Sequence, residues 1–265
     1  MTPEIAALLR GEPFRDFEII DAHDHLGPWQ TFCVHGGGSI DRMLKRADQL
    51  GIDRLCITAH AAIGPDYVLG NDLVLDALQS FPDRVFGYVT VNPNYAEDIP
   101  HELERCFAYP GFRGIKLHPD LHGRPVDCPL YADAFAYAQE HRLPVLIHTW
   151  SLANVMDVDS LAGRYPDASF IIAHMGGAPQ VMETALAILN RRENVYGDVA
   201  ISASPMGGIE FFVKEAGSKK ILFGTDMPFY DPCITLARVV TADISREEKQ
   251  DLLANNIKRL MAQRV

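Results

Sequence analysis

The sequence predicts an α/β fold of the (β/α)8 barrel class, a TIM barrel, with an amphipathic helix at its C-terminal end. Three observations indicate this fold. Short β-rich runs alternate with helical patterns, the ends of these runs are nearly evenly spaced, and His or Asp stands at several of the ends. Alternation of this kind is typical of parallel βα units. Eight such units are the number that closes a barrel.

Each of eight β-rich runs is followed by a loop and a helical pattern. The runs are FEIIDAHDHL, RLCIT, RVFGYVTV, FRGIKLH, PVLIHT, SFIIAH, NVYGDVA and KILFGTD. The residues expected at the strand ends are His25, Thr58, Val91, His118, His148, His174, Asp198 and Asp226, at steps of 24 to 33 residues. That step suits one strand, one helix and two short loops. No G-x-G-x-x-G follows the first run, which argues against an open, doubly wound sheet.

The whole chain, residues 1–265, is expected to form one domain. Its length is close to the ~250 residues typical of a TIM barrel, and no Pro-, Gly- or Ser-rich linker divides it. Near the end, Ser245 and Glu248 stand at capping-box spacing before leucines that recur at helical intervals. This stretch is the predicted terminal helix.

Composition excludes several classes of partner. A hydrophobic content of 48% is enough for a large core, whereas a net charge of -11 disfavours nucleic acid and anionic membranes as partners. The five cysteines are scattered and form no C-x-x-C pair, which favours reduced thiols. They are Cys33, Cys56, Cys106, Cys128 and Cys233.

Neither a signal peptide nor a membrane span is expected. The first residues lack the long apolar run of a secretory signal, and no stretch approaches ~18 consecutive apolar residues. We therefore expect a cytoplasmic protein that acts on a small molecule. No pattern in the sequence reports the oligomeric state, and a homo-oligomer stays open.

His23 and His25 are two residues apart on the first β-rich run. Because side chains alternate along a strand, both imidazoles should point to the same side, which in a barrel is the interior. Ile19 and Asp21 share this alternation and are expected to face the lower interior. A single H-x-H pair is weak evidence for metal, since such pairs also arise by chance.

Three further candidate ligands, His148, His174 and Asp226, stand at the ends of other predicted strands. Taken singly, His148 and His174 are each better explained as hydrogen-bonded core residues, and on the same view Asp226 is a helix cap. Together they would have to converge by accident at the rim where barrel enzymes place catalytic groups. Imidazole and carboxylate suit a divalent metal, with zinc expected first and manganese, iron or cobalt as alternatives. Such an ion lowers the pKa of bound water towards ~7.

The ordered motifs D-A-H-D-H-L-G, G-I-K-L-H-P, V-L-I-H-T, I-I-A-H-M-G-G and F-G-T-D-M-P resemble the amidohydrolase superfamily, especially its amidohydrolase-related branch. The resemblance covers essentially the whole chain. It implies that His23, His25, His148 and Asp226 ligate metal. It implies that His174 binds a second metal or contacts substrate and metal-bound water. Many members of this branch hold one ion, so one is expected rather than two.

Lys116 lies on the fourth β-rich run and should point inward near the mouth. Binuclear relatives carry a carboxylated lysine that bridges two metals on this strand. A free Lys116 would instead bind a substrate carboxylate, and the plainest alternative is a solvated strand end. His118, Trp29 and Trp150 follow strands at the same rim and are expected to line the pocket, although ordinary loop packing explains each of them equally well.

Four histidines that lack a convergent position are expected to be surface or structural residues. They are His35, His60, His101 and His141.

The expected activity is metal-dependent hydrolysis of an amide, lactone or ester that itself can carry a carboxylate. In this hypothesis Asp226 takes the proton of the metal-bound water and returns it to the leaving group, while His174 orients the substrate. The alternative is a metal-dependent decarboxylase of an aromatic or unsaturated acid, since the branch also resembles such lyases. A third hypothesis is a non-catalytic ligand-binding barrel.

Overall fold

The computed structural model describes residues 5–6, 10–29, 36–200 and 205–262. Within them, eight parallel strands follow one another in chain order around one sheet, which confirms the predicted barrel. The strands are β1 (Ile20–Leu26), β2 (Arg54–Ala59), β3 (Val85–Thr90), β4 (Phe112–Leu117), β5 (Pro144–Ile147), β6 (Ser169–Ile172), β7 (Val195–Asp198) and β8 (Ile221–Leu222).

Helices surround the sheet and alternate with its strands. The α-helices are α1 (Ile40–Leu50), α2 (His60–Ile63), α3 (Tyr67–Ser80), α4 (Ile99–Phe107), α5 (Pro119–His122), α6 (Ala132–Glu140), α7 (Leu152–Arg164), α8 (Pro179–Arg191), α9 (Gly208–Ala216), α10 (Pro232–Thr241), α11 (Arg246–Gln250) and α12 (Asn256–Met261). Short 3-10 helices cover Pro93–Asp98, Pro129–Tyr131, Ala173–Gly176 and Ser218–Lys220. No helix in the described part of the chain is long and apolar enough to cross a membrane.

The barrel closes where the chain beyond β8 meets β1. The backbone N–H of Ala22 donates to the carbonyl of Phe223 at 2.9 Å, and that of His25 donates to the carbonyl of Met227 at 2.7 Å. Between them, the N–H of Asp226 donates to the carbonyl of His23 at 2.8 Å. The seam of the barrel therefore holds Asp226 directly beside the two histidines of β1.

The lower part of β1 faces the opposite way from the prediction. His23 and His25 do reach the interior, but the residues that fill the barrel below them are Ile20 and Ala22. Ile19 instead packs in the larger apolar cluster that includes the helices. A strict two-residue alternation is therefore wrong for this strand.

A β-bulge in β1 causes the difference. The pairing with β2 passes from Asp21 opposite Leu55 to Asp24 opposite Ile57, so β1 uses three steps where β2 uses two. One extra residue reverses the alternation of side chains. The bulge therefore allows apolar residues below and histidines above to face the same interior.

The last helices cover the end of the barrel opposite the mouth. Ala254, Ile257, Leu260 and Met261 belong to the same apolar cluster as interior side chains of the strands. The predicted amphipathic helix is thus present, although one π-helical turn at Asp251–Asn255 separates α11 from α12.

The predicted capping box starts this helix. The Ser245 hydroxyl accepts a hydrogen bond from the N–H of Glu248 at 3.2 Å, and the Glu248 carboxylate accepts one from the N–H of Ser245 at 2.7 Å. We expect Ser245→Ala to lower the free energy of unfolding by about 1 kcal/mol, measured by urea denaturation. Ser80→Ala, at an exposed helix end, is the control and should change it by less than about 0.5 kcal/mol. Equal effects of the two substitutions would contradict a capping role.

Two predictions about cysteine and histidine fall partly outside the described residues. Cys56, Cys106, Cys128 and Cys233 carry free thiols, as expected, whereas Cys33 and His35 lie beyond the described ranges.

Candidate active site

Side chains from β1 and from the segments after β6 and β8 meet at the barrel mouth. The Nε2 atom of His25 lies 3.1 Å from Nε2 of His23 and 3.0 Å from Oδ1 of Asp226. The same carboxylate oxygen is 3.7 Å from Nε2 of His23. His23, His174 and Asp226 each offer one ligand atom, and these atoms all lie within 4.8 Å of one another. Four of the five predicted ligands therefore converge.

Asp198, at the end of β7, holds two members of this cluster. Its Oδ2 accepts a hydrogen bond from Nδ1 of His23 at 3.0 Å, and its Oδ1 accepts one from the backbone N–H of His174 at 2.8 Å. A proton on Nδ1 leaves the lone pair of His23 on Nε2, which faces the cluster. Asp198 thus sets the tautomer of His23, a role that the sequence prediction missed.

Two of the clustered residues have left-handed backbone. His174 has a φ of 59° and Asp226 a φ of 61°, which are uncommon values for residues with a side chain. Such conformations persist only where the surrounding structure enforces them, and they concentrate at functional sites. Here the hydrogen bonds from His174 to Asp198 and from Asp226 to the carbonyl of His23 enforce them.

Lys116 points into the same cluster. Its side chain is fully buried, and Nζ lies 2.8 Å from Nε2 of His23. Burial lowers the pKa of Lys116 to about 8, while the carboxyls of Asp226 and Asp198 oppose this decrease. The solvated strand end considered from the sequence is therefore wrong. Substrate binding and carboxylation both stay open as predictions.

Four buried carboxyl groups lie on β1, at the end of β7 and after β8, whereas Lys116 is the one buried ammonium group among the described residues. They belong to Asp21, Asp24, Asp198 and Asp226. Burial raises the pKa of each, that of Asp21 to about 7. One Oδ atom of Asp24 has no hydrogen-bond partner among the described residues. A cation would offset this excess of acceptors, and clustered imidazole and carboxylate donors suit a divalent metal. The residues therefore fit such an ion.

The fifth predicted ligand, His148, lies at the edge of the cluster. Its Nδ1 is 3.3 Å from Nε2 of His174, and its Nε2 is 3.6 Å from a carboxylate oxygen of Asp120. The His148 ring stacks on His118 with centroids 4.0 Å apart, and Trp150 lies parallel to it at 5.8 Å. These rings form one wall of the mouth.

A second aromatic wall stands on the β1–β2 side. His60 was expected to be a surface or structural residue, and the surface alternative is wrong: His60 is buried and stacks on His25 with ring centroids 5.1 Å apart. Phe229 and Trp29 pack against it at 4.7 and 5.0 Å. Burial lowers the pKa of His60 to about 4. The signal was available in the sequence, because His60 has the same alternation as the predicted strand end Thr58.

The amidohydrolase family model matches residues 20–261, so the chain belongs to the amidohydrolase family. Enzymes of this family are metal-dependent, and the His-His-Asp cluster at the mouth is consistent with that property. The resemblance predicted from the ordered motifs is thereby confirmed.

Known proteins similar to the chain include several decarboxylases. The 2-amino-3-carboxymuconate-6-semialdehyde decarboxylase of Dictyostelium discoideum is 20% identical over 230 residues, which are 70% of this chain and 63% of that protein. The chain thus spans somewhat under two thirds of the length of this curated relative.

Two solved barrels resemble the fold at low identity. The 5-carboxyvanillate decarboxylase of Novosphingobium aromaticivorans, in complex with manganese and 4-hydroxy-3-methoxy-5-nitrobenzoic acid, has a TM-score of 0.79 at 16% identity over 93% of this chain and 96% of its own. The 2,6-dihydroxybenzoate decarboxylase from Rhizobium has a TM-score of 0.77 at 17% identity over 92% and 98%.

Proposed function

We propose that this protein is a metal-dependent decarboxylase of a small aromatic or unsaturated carboxylic acid. This is the alternative, rather than the first expectation, of the sequence analysis. The observation that carries the proposal is Lys116, a fully buried ammonium beside the His-Asp cluster. A carboxylate substrate requires a cationic partner in such a site, whereas a neutral amide or ester does not.

The relatives add support for decarboxylation over hydrolysis. The curated relative and the two similar barrels are each named as decarboxylases, and their names describe unsaturated or aromatic acids. Hydrolysis by metal-bound water remains the competing hypothesis, because the ligand types are the same for both reactions.

In this proposal His23, His25, His174 and Asp226 hold one divalent ion. His148 is the fifth candidate ligand, through its position beside His174. The described residues form one group of three or more clustered ligand atoms, which favours one ion over two. Manganese joins zinc as a leading candidate because a similar barrel contains it. When bound, the ion supplies Lewis-acid stabilisation of negative charge on the substrate.

Lys116 and two of the candidate ligands, His174 and Asp226, also act on the substrate. Lys116 binds the substrate carboxylate, and His174 orients the substrate. The bond between the carboxylate carbon and the substrate breaks, its electron pair stays on the substrate carbon, and carbon dioxide leaves. Oδ1 of Asp226 faces the histidines and would hold the ion, so the proton is carried on Oδ2. Oδ2 delivers this proton to form the new C–H bond and is then reprotonated from solvent.

The test is to supply the manganese-loaded protein with 2,6-dihydroxybenzoate, 5-carboxyvanillate and 2-amino-3-carboxymuconate-6-semialdehyde in ¹⁸O-labelled water. We expect one carbon dioxide per molecule of decarboxylated product and no label in the products of the two aromatic acids. The semialdehyde is scored by carbon dioxide alone, because its aldehyde exchanges oxygen with water. Label entering the product of an ester, lactone or amide without release of carbon dioxide would favour hydrolysis instead.

Lys116→Met should weaken binding of the accepted acid about 10- to 100-fold, because a buried charge-assisted hydrogen bond is lost. Isothermal titration calorimetry measures this change. Lys219→Met, at an exposed position, is the matched control. Unchanged affinity in the Lys116 variant would contradict its role in binding the carboxylate.

Asp198→Asn tests whether Asp198 supports the proposed metal site through its hydrogen bond to His23. The asparagine retains one oxygen acceptor but loses the charge that stabilises the protonated Nδ1 of His23. We expect metal affinity to fall about 10- to 100-fold, measured by competition with a chelator. Asp127→Asn, at an exposed position, should leave the affinity unchanged. Equal affinity in the Asp198 variant and the wild type would show that Asp198 does not tune the site.

A further inference from the structure

A small apolar pocket lies close to His25, one of the proposed metal ligands, and has no role in the mechanism above. Its volume is about 210 Å³. The lining residues come from the end of β1 with its following loop, from α2 and from the start of α3. Those that form its walls include Leu26, Trp29, His60, Pro65, Leu69 and Leu73. Since these elements follow β1 and β2, the pocket lies on the catalytic face of the barrel.

One imidazole ring, that of His60, borders both this pocket and the cluster of His23, His25, His174 and Asp226. His60 lines the pocket and also stacks on His25, with centroids 5.1 Å apart and planes 10° apart. Its orientation is set because Nδ1 donates a hydrogen bond to the carbonyl of Gly27 at 2.7 Å. Trp29 packs on the same ring at 5.0 Å. His60 is therefore held in place where the pocket and the cluster adjoin.

The chemistry of the lining selects an apolar occupant. His60 is the one ionisable side chain in the described lining, and the other walls are aliphatic or aromatic. Leu69 at the edge is 50% exposed, which leaves apolar surface available for a ligand to cover. An apolar cavity of about 150 Å³ is large enough to bind benzene. Small-molecule sites as a whole are larger, about 300 to 1,000 Å³, so this pocket can hold only part of a substrate.

We infer that this pocket is the subsite for an apolar substituent of the substrate, no larger than a phenyl ring. The inference rests on the proposed function and narrows its substrate class. The substrate is an acid whose carboxylate end meets Lys116 and the metal ligands, and whose apolar end lies beyond His60 against Leu69 and Leu73. An unsubstituted acid leaves the subsite empty.

Ala61→Leu tests the inference by filling the pocket from α2, where Ala61 is part of the lining. Ala61 is half-buried and has no place in the catalytic machinery. Leu69→Asn makes a wall polar at an exposed position, which limits any effect on folding. Ala237→Leu on α10 introduces the same side chain at a half-buried position away from the pocket.

The probes are 2-hydroxybenzoate and its derivatives that carry an ethyl or phenyl group at ring position 3, 4 or 5. Calorimetry gives their dissociation constants with the metal-loaded proteins. We expect the wild type and Ala237→Leu to bind at least one derivative about tenfold more tightly than the parent. Ala61→Leu and Leu69→Asn should lose most of that preference and bind the parent within about twofold of the wild type.

Two results would overturn the inference. One is a preference that survives in both pocket variants, and the other is a wild type that binds no derivative better than the parent. Both are distinct from failure of the proposed function, which is scored separately by carbon dioxide release from the parent and derived acids. If no acid is bound or decarboxylated, the proposed function fails and the subsite assignment falls with it.

Discussion

Replacing Asp226 by asparagine is expected to lower turnover by about 10³-fold or more while the protein stays folded. Asparagine has nearly the same shape, and it is among the few residues that tolerate the left-handed backbone found at this position. The variant loses the proton that decarboxylation requires, and proton transfer by a positioned group contributes about 10² to 10⁴ in rate. It also weakens a ligand within 3.0 Å of His25.

The measurement is kcat for the accepted acid, together with metal content and circular dichroism of the purified variant. Asp133→Asn, at an exposed position in the first turn of α6, is the control and should keep normal turnover. If the Asp226 variant retains its metal and turns over at nearly the normal rate, Asp226 is not the proton donor.

Removal of metal should abolish turnover and reduce thermal stability. The buried carboxyls of Asp21, Asp24, Asp198 and Asp226 repel one another, and a bound cation reduces that repulsion. An ion present at about 1,000 times its dissociation constant stabilises the folded state by about 4 kcal/mol. The loss for a chain of 265 residues should appear as a fall of several degrees in Tm after dialysis against a chelator.

Elemental analysis of the purified protein should give close to one divalent ion per chain. Adding back manganese, zinc or cobalt one at a time shows which ion restores turnover and Tm. The double substitution His23→Ala and His25→Ala provides a control, because a chelator should hardly change its Tm. Full turnover by a protein that contains no metal would exclude the proposed site.

The barrel could be predicted from sequence because each βα unit has a local signature, a β-rich run followed by a loop and a helical pattern. The predicted end of the third strand, Val91, is one residue from the observed end at Thr90. The largest deviation is in β8, which pairs with β7 only as far as Leu222, four residues before Asp226. Beyond Leu222 the chain contacts β1 through separate hydrogen bonds, and such pairing depends on how the barrel closes.

The convergence of the candidate ligands was predictable where His and Asp stand at strand ends, as with His23, His174 and Asp226. Asp198 was seen as a strand end but was given no role, because its importance lies in contacts with two other strands. His60 was set aside although its alternation matched that of Thr58. Both omissions concern contacts between distant parts of the chain, which spacing along one strand does not contain.

The bulge in β1 also has a consequence for how this barrel tolerates change. Below the bulge, Ile20 and Ala22 are constrained by packing in the barrel interior. Above it, His23 and His25 are constrained by the geometry of the candidate site at the mouth. The one extra residue of the bulge separates the packing constraint from the site constraint within a single strand. A substitution that preserves the bulge can therefore alter the lower interior without turning the histidines, whereas deletion of one residue between Asp21 and Asp24 would direct the ligands and the core to opposite sides.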